Sequence, residues 1–240
     1  MTFRFLSFGA GTQSTALLLI GEFDEVIFAN TGNEFPGTYA FIESYVKPYC
    51  EKNVIKFTTV QAKETLEEFC LRRKTIPSFK YRFSTRDFKV RPIVRYLKKS
   101  GVELPCICVV GISTDEIERA RNKGTTDWNL EYPLLERSMS RKDCEKIIRK
   151  FGWPIPPKSG CFFCPFLRKA QLDDLYFNHQ EDLLWTRYKE IEQNGKNYPR
   201  AVISHLGLSA EELAKEFSAG PMKLDKFLEM APCETGHCFT

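Results

Sequence analysis

Seven small or polar residues near the start of the chain have the types and spacing of an anion-binding loop. They are Gly9, Ala10, Gly11, Thr12, Gln13, Ser14 and Thr15. An apolar strand candidate precedes them, and the helix-forming run 16–20 follows. In this order of elements, backbone amides at the helix N-terminus donate to an anion, and serine and threonine hydroxyls add further donors. We therefore predict that residues 9–15 bind phosphate, although no lysine of the Walker A pattern is present.

A second group with chemical potential is Cys161-Phe162-Phe163-Cys164. Two thiolates at this spacing suit a tetrahedral metal, two corners of a cluster, or a redox pair. A metal site usually needs four ligands, and Cys144, Cys233 and Cys238 are the further candidates, with His237 a lesser one. Zinc and an iron–sulfur cluster both accept four cysteines, so the spacing does not decide between them. Cys50, Cys70, Cys106 and Cys108 lie in apparent helix or strand, where we expect buried thiols.

The third group is a basic segment, residues 72–99, with eleven lysines or arginines and one acid. Tyr81, Phe83 and Phe88 are interleaved with these cations, an arrangement that suits stacking beside phosphate contacts. A solvated surface loop is the alternative interpretation. The predicted polyanion-binding residues are Arg72, Arg73, Lys74, Lys80, Arg82, Arg86 and Lys89.

The elements that must position these residues alternate along the chain. Strands are predicted at 3–8, 25–30, 54–60 and 106–112, with a shorter one near 132–136, and helices at 13–22, 37–51, 63–73 and 88–100. This alternation predicts an α/β fold with a parallel sheet of about five strands and helices on both faces. Residues 9–15, 30–34 and 111–115 each follow a strand, so we expect them to meet at the carboxyl edge of the sheet.

Beyond residue 160 the pattern is helical. Residues 167–193 are predicted as one long helix, and Ser209 with Glu212 begins another as a capping box. The expected organisation is a nucleotide-binding domain over residues 1–166 and a helical appendage with a cysteine-containing tail over residues 167–240.

The composition is that of a globular protein, with a formal net charge of +4. No apolar run approaches the ~20 residues of a membrane span. The N-terminus does not follow the plan of a signal peptide, so a cytoplasmic protein without a membrane partner is expected. Nine cysteines in that setting argue against a disulfide framework.

The loop at 9–14 resembles the PP-loop of the ATP pyrophosphatase and phosphoadenosine phosphosulfate reductase superfamily, the adenine nucleotide alpha hydrolases. That pattern is Ser-Gly-Gly-X-Asp-Ser, with Gly9 here in place of serine and Gln13 in place of the aspartate. Further segments are similar to those of sulfonucleotide reductases, in the same order. These segments are Asn30–Thr38, Phe88–Ile93, Val110–Arg121, Tyr132–Glu136 and Gly160–Pro165.

The resemblance implies a Rossmann-like (HUP-type) fold and an adenine-nucleotide site. The implied nucleotide-binding residues are residues 9–15 together with Asn30, Thr31, Gly32 and Gly111. Ser14, Asp115, Arg119 and Arg121 are the implied catalytic residues.

Two departures from the family pattern concern the cysteines. Ser84-Thr85 stands where iron–sulfur reductases carry a cysteine pair, and the tail around Cys233 is only loosely similar to theirs.

The leading hypothesis from the sequence is an enzyme that binds ATP with Mg²⁺ and adenylates an acceptor with release of pyrophosphate. Sulfur transfer or modification of a nucleic acid or nucleobase would follow, so DNA, RNA or a sulfur-donor protein are candidate partners. The alternative is a phosphoadenosine phosphosulfate reductase that forms sulfite. A third hypothesis is an inactive nucleotide-binding subunit of a modification complex, in which Gln13 marks lost metal chemistry.

Overall fold

The computed structural model describes residues 2–78, 83–120, 125–195 and 202–218. The chain divides into two compact units. One unit, here called the sheet unit, comprises the described residues between 2 and 62 and between 85 and 160; the other, the helical unit, comprises the described residues between 63 and 84 and between 161 and 218. Residues 63–84 therefore belong with the C-terminal half of the chain. The predicted domain boundary at residue 166 stays a prediction.

The sheet unit is built on parallel strands. In the described residues these are β1 (Arg4–Phe8), β2 (Glu25–Asn30), β3 (Lys56–Gln61), β4 (Cys106–Val110) and β5 (Trp128–Glu131). Their order is β3-β2-β1-β4-β5, and every neighbouring pair is parallel. This confirms the predicted Rossmann-like sheet. The strand order reverses direction between β1 and β4, which is where open α/β sheets bind ligands.

Alternate strand residues belong to two apolar layers, one on each face of the sheet. Leu6, Val26 and Phe28 belong to one layer, and Phe5 and Ile27 to the other. Full burial of a leucine or phenylalanine stabilises a fold by about 1.5–3 kcal/mol. The continuous apolar runs of β1 and β2 are therefore explained by burial on both sides.

Helices cover the sheet and form the helical unit. The described α-helices are α1 (Thr12–Ile20), α2 (Pro36–Phe41), α3 (Lys47–Lys52), α4 (Leu66–Arg73), α5 (Phe83–Thr85), α6 (Arg91–Lys99), α7 (Pro133–Glu136), α8 (Arg141–Lys150), α9 (Lys169–Asn178), α10 (Leu184–Asn194) and α11 (Ala210–Ser218). A π-helical turn, Ile42–Val46, joins α2 to α3, and another, Arg86–Val90, joins α5 to α6. Among the helices described, none is long and apolar enough to cross a membrane.

Two predicted elements are wrong. The fifth strand is not 132–136 but Trp128–Glu131, because Pro133 has no N–H for a strand ladder and instead begins α7. The predicted long helix 167–193 is two helices, α9 and α10, separated at Leu183. That leucine has a left-handed backbone (φ 53°) and is 59% exposed. Without a glycine or proline in this stretch, the leucine pattern gave no sign of the break. The helix predicted after Ser209 is confirmed, with reciprocal Ser209–Glu212 hydrogen bonds at its start.

Candidate functional site

The loop between β1 and α1 has a constrained backbone. Ala10 adopts a left-handed conformation (φ 56°) and is completely buried, a combination that is uncommon for a residue with a Cβ. Gly11 then caps the N-terminus of α1. The first amides of an α-helix have no partner within the helix, so they are available to an acceptor. Such strained positions cluster at ligand sites.

The hydroxyl of Ser14 stabilises this loop. Its Oγ accepts a hydrogen bond from the Gly11 amide at 3.2 Å and donates to the Gly11 carbonyl at 3.1 Å. Ser14 is 3% exposed, and Thr12 and Thr15 are equally buried. The hydroxyl predicted to contact phosphate is thus engaged in capping α1. The remaining donors of this loop include the backbone amides that make no internal bond and the Thr15 hydroxyl, which is buried without a hydrogen-bond partner among the described residues.

Gly111, just after β4, packs directly against the start of α1. A Cβ at this position would lie 2.8 Å from the Ser14 nitrogen and 3.0 Å from the Gln13 carbonyl carbon. Real Cβ atoms do not approach backbone this closely, so glycine is required here. The loops after β1 and β4 are therefore in contact, as the sequence predicted.

Gln13, which stands where the PP-loop pattern has an aspartate, joins the same two loops. Its side-chain amide donates to Ser113 Oγ at 3.4 Å and to Glu116 Oε2 at 3.2 Å, and it is 8% exposed. Glu116 Oε2 also accepts from Arg119 Nη1 at 2.6 Å. The predicted cation Arg119 is therefore paired with a carboxylate. Arg121 lies outside the described residues.

Asp115 holds the start of α8. Its Oδ2 accepts the Arg141 backbone N–H at 2.5 Å and the Ser113 hydroxyl at 3.3 Å. Among the described residues, no hydrogen bond involves Asp115 Oδ1 or Glu116 Oε1. Each carboxylate thus uses one oxygen to organise the loop.

The loop after β2 forms a tight turn. Asn30 Oδ1 accepts hydrogen bonds from the Gly32 amide at 2.8 Å and from the Tyr39 hydroxyl at 2.9 Å. Gly32 has φ 78°, the left-handed region that glycine adopts without strain. Thr31 Oγ1 donates to Glu34 Oε1 at 3.1 Å, and both residues are buried. The three predicted residues of this loop therefore shape a turn at a strand end adjacent to β1.

Two residues near the loop were not found by sequence reasoning. Arg141 Nη2 donates to Thr12 Oγ1 at 2.9 Å. Ser159 Oγ lies against Gly11, since a Cβ on that glycine would be 3.1 Å from it. Both residues are more than 120 positions from the loop in sequence, so no local pattern connects them with it. The position of Arg141 directly after the helix cap Ser140 is the one weak signal.

The cysteines separate into two classes. Cys50, Cys70, Cys106 and Cys108 are buried in apolar surroundings, which confirms that prediction. Burial raises the pKa of Cys50 to about 11 and that of Cys70 to about 12. Cys144 is also completely buried, in the core of the sheet unit, and burial raises its pKa to about 11. Such an environment favours the thiol over the thiolate that a metal requires.

Cys161 and Cys164 lie on a turn of the helical unit and are half-buried. The Cys164 amide donates to the Cys161 carbonyl at 3.0 Å. The intervening Phe162 and Phe163 are buried and anchor the turn. Within the described ranges, no three histidine, cysteine or acidic side chains are grouped to hold a metal. Cys233 and Cys238 lie outside those ranges. In the helical unit, the structure therefore describes Cys161 and Cys164 of the predicted ligands.

The basic segment is divided between the two units. Arg72, Arg73 and Lys74 belong to the helical unit, whereas Arg86 and Lys89 belong to the sheet unit. Lys80 and Arg82 lie outside the described residues. Acids offset part of the charge. Arg72 makes two hydrogen bonds to Glu64, at 2.5 and 3.0 Å, and Arg86 pairs with Asp87 at 2.8 Å.

Comparison with known proteins shows that part of this chain matches a protein family. Residues 3–125 match the family model described as the phosphoadenosine phosphosulfate reductase domain. No curated protein matches this chain significantly. Among solved structures, one similar chain is phosphoadenylyl-sulfate (PAPS) reductase from Candida auris in a phosphate complex. It is 16% identical, with a TM-score of 0.49, and the alignment covers 67% of this chain and 82% of that one.

Proposed function

We propose, from the premise that this chain belongs to the phosphoadenosine phosphosulfate reductase domain family, that it is an enzyme acting on an adenine nucleotide at the carboxyl edge of the sheet unit. The family match covers 123 of 240 residues, positions 3–125, and includes the loops after β1, β2 and β4. The observation that carries the proposal is the direct packing of Gly111 on the Ser14 backbone, which joins two of these loops.

In this proposal, the amides of residues 9–15 bind the nucleotide phosphates. Gly11 and Gly111 keep the backbone accessible, and the turn Asn30–Gly32 lies at the neighbouring strand end. Ser14 caps the loop rather than contacting the phosphate. Asp115 and Arg119 position the loop after β4. Catalysis at a phosphate anhydride depends mainly on positioning and charge neutralisation, which suits this set of residues.

The first candidate reaction is ATP-dependent adenylation. An acceptor oxygen attacks the α-phosphorus, the bond to the β-phosphate oxygen breaks, and pyrophosphate leaves. The available oxygens Asp115 Oδ1 and Glu116 Oε1 favour this candidate, because carboxylate oxygens are the ligands that Mg²⁺ prefers on a nucleotide. Bound Mg²⁺ would neutralise charge on the phosphates. The acceptor classes are those expected from the sequence: a nucleic acid, a nucleobase or a small molecule.

The second candidate is reduction of phosphoadenosine phosphosulfate, which the family supports. A thiolate attacks the sulfur, the sulfur–oxygen bond breaks, and adenosine 3′,5′-bisphosphate leaves. A second thiol then releases sulfite and forms a disulfide, so two thiols are oxidised. Five of the nine cysteines are buried with raised pKa values, and these are poor nucleophiles. Cys161, Cys164, Cys233 and Cys238 remain for this role.

The same four cysteines are the proposed ligands of zinc or an iron–sulfur cluster. Cys144 is left out of that set because it is completely buried among apolar residues in the core of the sheet unit. When all four thiolates bind a metal, none remains to attack sulfur. A filled four-cysteine site is therefore compatible with adenylation and incompatible with thiol-dependent reduction.

One experiment with two substrates tests the proposal. The purified chain is incubated with ATP, Mg²⁺ and either duplex DNA or total transfer RNA, and pyrophosphate is measured. In parallel, it is incubated with phosphoadenosine phosphosulfate and dithiothreitol, and sulfite is measured. We expect pyrophosphate. Sulfite without pyrophosphate would favour the second candidate, and failure to bind either nucleotide in equilibrium titrations would refute the proposed function.

A further inference from the structure

The phosphate-binding loop lacks a cation of its own. No lysine or arginine occurs between residues 9 and 15. Polyphosphates are bound most strongly by charged donors. Arg119, the cation predicted for this role, has a side chain that is 13% exposed and lies 2.6 Å from the Glu116 carboxylate. Arg121, the other cation implied for this role, lies outside the described residues. Among the described residues, Arg119 is thus held against Glu116, and a further cation beside the loop would strengthen phosphate binding.

Arg141 is placed to supply it. Its guanidinium reaches from the first residue of α8 to the loop, where Nη2 donates to Thr12 Oγ1 at 2.9 Å. Thr12 is the first residue of α1, immediately after Gly11. The positive group therefore lies beside the N-terminus of α1, and both the guanidinium and the helix N-terminus attract negative charge.

The arginine also retains unused donors. Its Nε lies 3.3 Å from Glu145 Oε1, an ion pair one turn along α8. Within the described part of the chain, no hydrogen bond is made by Nη1, and the side chain is 46% exposed. A guanidinium carries five N–H donors in a planar fork that fits two phosphate oxygens. In the described residues, the hydrogen bond to Thr12 uses one of these donors and Glu145 contacts the Nε side as an ion pair, so further donors of the fork can bind a ligand.

The backbone of Arg141 is fixed before any ligand binds. Its N–H donates to Asp115 at 2.5 Å, and Ser140 and Asp143 exchange capping hydrogen bonds at the start of α8. Behind this terminus, Cys144 and Ile148 are completely buried in the same core cluster as Leu17 of α1. The two helices are thus packed together, and the arginine is preorganised next to the loop. Preorganisation lowers the cost of ordering a long side chain on binding.

We propose that Arg141 is the cation of the phosphate site and binds the phosphate groups of the nucleotide together with the loop amides. This inference rests on the proposed function, since it assumes that a nucleotide binds there. It also assigns a role to Asp115, which positions Arg141 rather than reacting with the substrate.

The test uses Arg141→Gln, with Lys142→Gln as the matched control. Lys142 is the next residue, is exposed and carries the same charge. Calorimetric titration of the purified protein with ATP and Mg²⁺ should show about 10- to 100-fold weaker binding for Arg141→Gln, because a hydrogen bond to a charged group contributes ~1.5–3 kcal/mol. Lys142→Gln should match the unsubstituted protein. Arg141→Lys should lie between them, because lysine keeps the charge but not the fork.

Titration with adenosine separates phosphate contact from a structural role. Arg141→Gln should leave adenosine binding unchanged, and its melting temperature should equal that of the control. Equal ATP affinity in the two glutamine variants, or an equal loss of ATP and adenosine binding, would overturn the assignment of Arg141. Absence of ATP binding in the unsubstituted protein would instead count against the proposed function itself.

Discussion

The sheet unit and the helical unit are stabilised in different ways. In the sheet unit, five described parallel strands are covered by two apolar layers. Polar networks lie at both ends of these strands, around Gln13 and Glu116 at the carboxyl edge and around Glu25 at the start of β2. The helical unit relies on aromatic stacking and on polar groups inside it. Trp185 stacks on Tyr188 with centroids 5.2 Å apart, and Lys169, 6% exposed, pairs with Glu216 at 2.5 Å.

The two units also differ in the contacts that connect separate segments of the chain. In the helical unit, the buried carboxylate of Glu192 accepts the amides of Ile203 and Ala210, at 2.9 and 2.6 Å. Arg187 pairs with Glu67 and lies 4.7 Å from the Phe162 ring centre. These contacts link segments far apart in sequence. We infer that the sheet unit needs no additional cross-link, whereas the helical unit would gain much from a metal at its cysteine turn.

The largest expected effect therefore concerns Cys161. The variant Cys161→Ser should lose zinc or iron and melt at a markedly lower temperature, because structural metal sites contribute on the order of 10 kcal/mol to folding. Cys50→Ala, in the core of the sheet unit, should keep its metal. Elemental analysis of protein prepared without oxygen gives the measurement. No zinc or iron in that protein, or equal metal content in both variants, would refute the metal site.

A second prediction concerns the chemical reactivity of the thiols in the two units. With a chelator present at pH 8, iodoacetamide should modify the half-buried Cys161 and Cys164 faster than the completely buried Cys50. Burial raises the Cys50 pKa from 9.0 to about 11, so about a hundredth of the ordinary thiolate fraction is present. Its rate should rise about tenfold per pH unit until that pKa. Peptide mapping by mass spectrometry measures each site, and comparable rates at pH 8 would contradict the two-class interpretation.

The third prediction tests the contact between the loops of the sheet unit. Gly111→Ala should reduce stability by about 1–3 kcal/mol, since the new methyl group meets backbone at 2.8 Å. It should also weaken ATP binding at least tenfold by displacing the Ser14 amide. The control is Gly37→Ala, whose methyl group would be 3.4 Å from Pro157, an ordinary contact. Denaturant unfolding and calorimetry measure both effects. If both alanine variants behave alike, the loops are not coupled through Gly111.

The smallest expected effect belongs to the basic segment. If a nucleic acid binds there, affinity for duplex DNA should fall with salt, and each lost phosphate contact should lower the log–log slope by about 0.9. The double variant Arg73→Ala/Lys74→Ala should lower the slope, and Arg72→Ala should change it less because Glu64 already pairs with Arg72. Fluorescence anisotropy over a salt series measures this. Salt-independent affinity, or no change in the double variant, would exclude the segment as a polyanion site.

The sheet unit and the helical unit also differ in how much of their structure could be predicted from the sequence. The strand at residues 25–30 was predicted with its observed bounds, because a strand buried on both faces is a continuous apolar run between polar residues. The meeting of the loops after β1 and β4 at one edge followed from parallel topology, whereas the packing of Gly111 on the Ser14 backbone is seen in the structure. The caps at Ser140 and Ser209 were predictable because a capping box is local in sequence.

What the sequence did not reveal depends on distant contacts. The Arg141–Thr12 hydrogen bond spans 129 positions, and no periodicity encodes it. The pairing of Arg72 with Glu64 lies just outside the segment whose charge was counted, so the segment seemed more cationic than it is. In the helical unit, the left-handed Leu183 interrupts a regular leucine pattern without a breaker residue.

The most direct test of the central claim is a crystal structure of the protein with a non-hydrolysable ATP analogue and Mg²⁺. We predict phosphate oxygens within about 3 Å of the amides of residues 9–15, with Arg141 donating to the same group. A nucleotide bound away from this loop, or phosphates that contact neither the loop amides nor Arg141, would contradict the account.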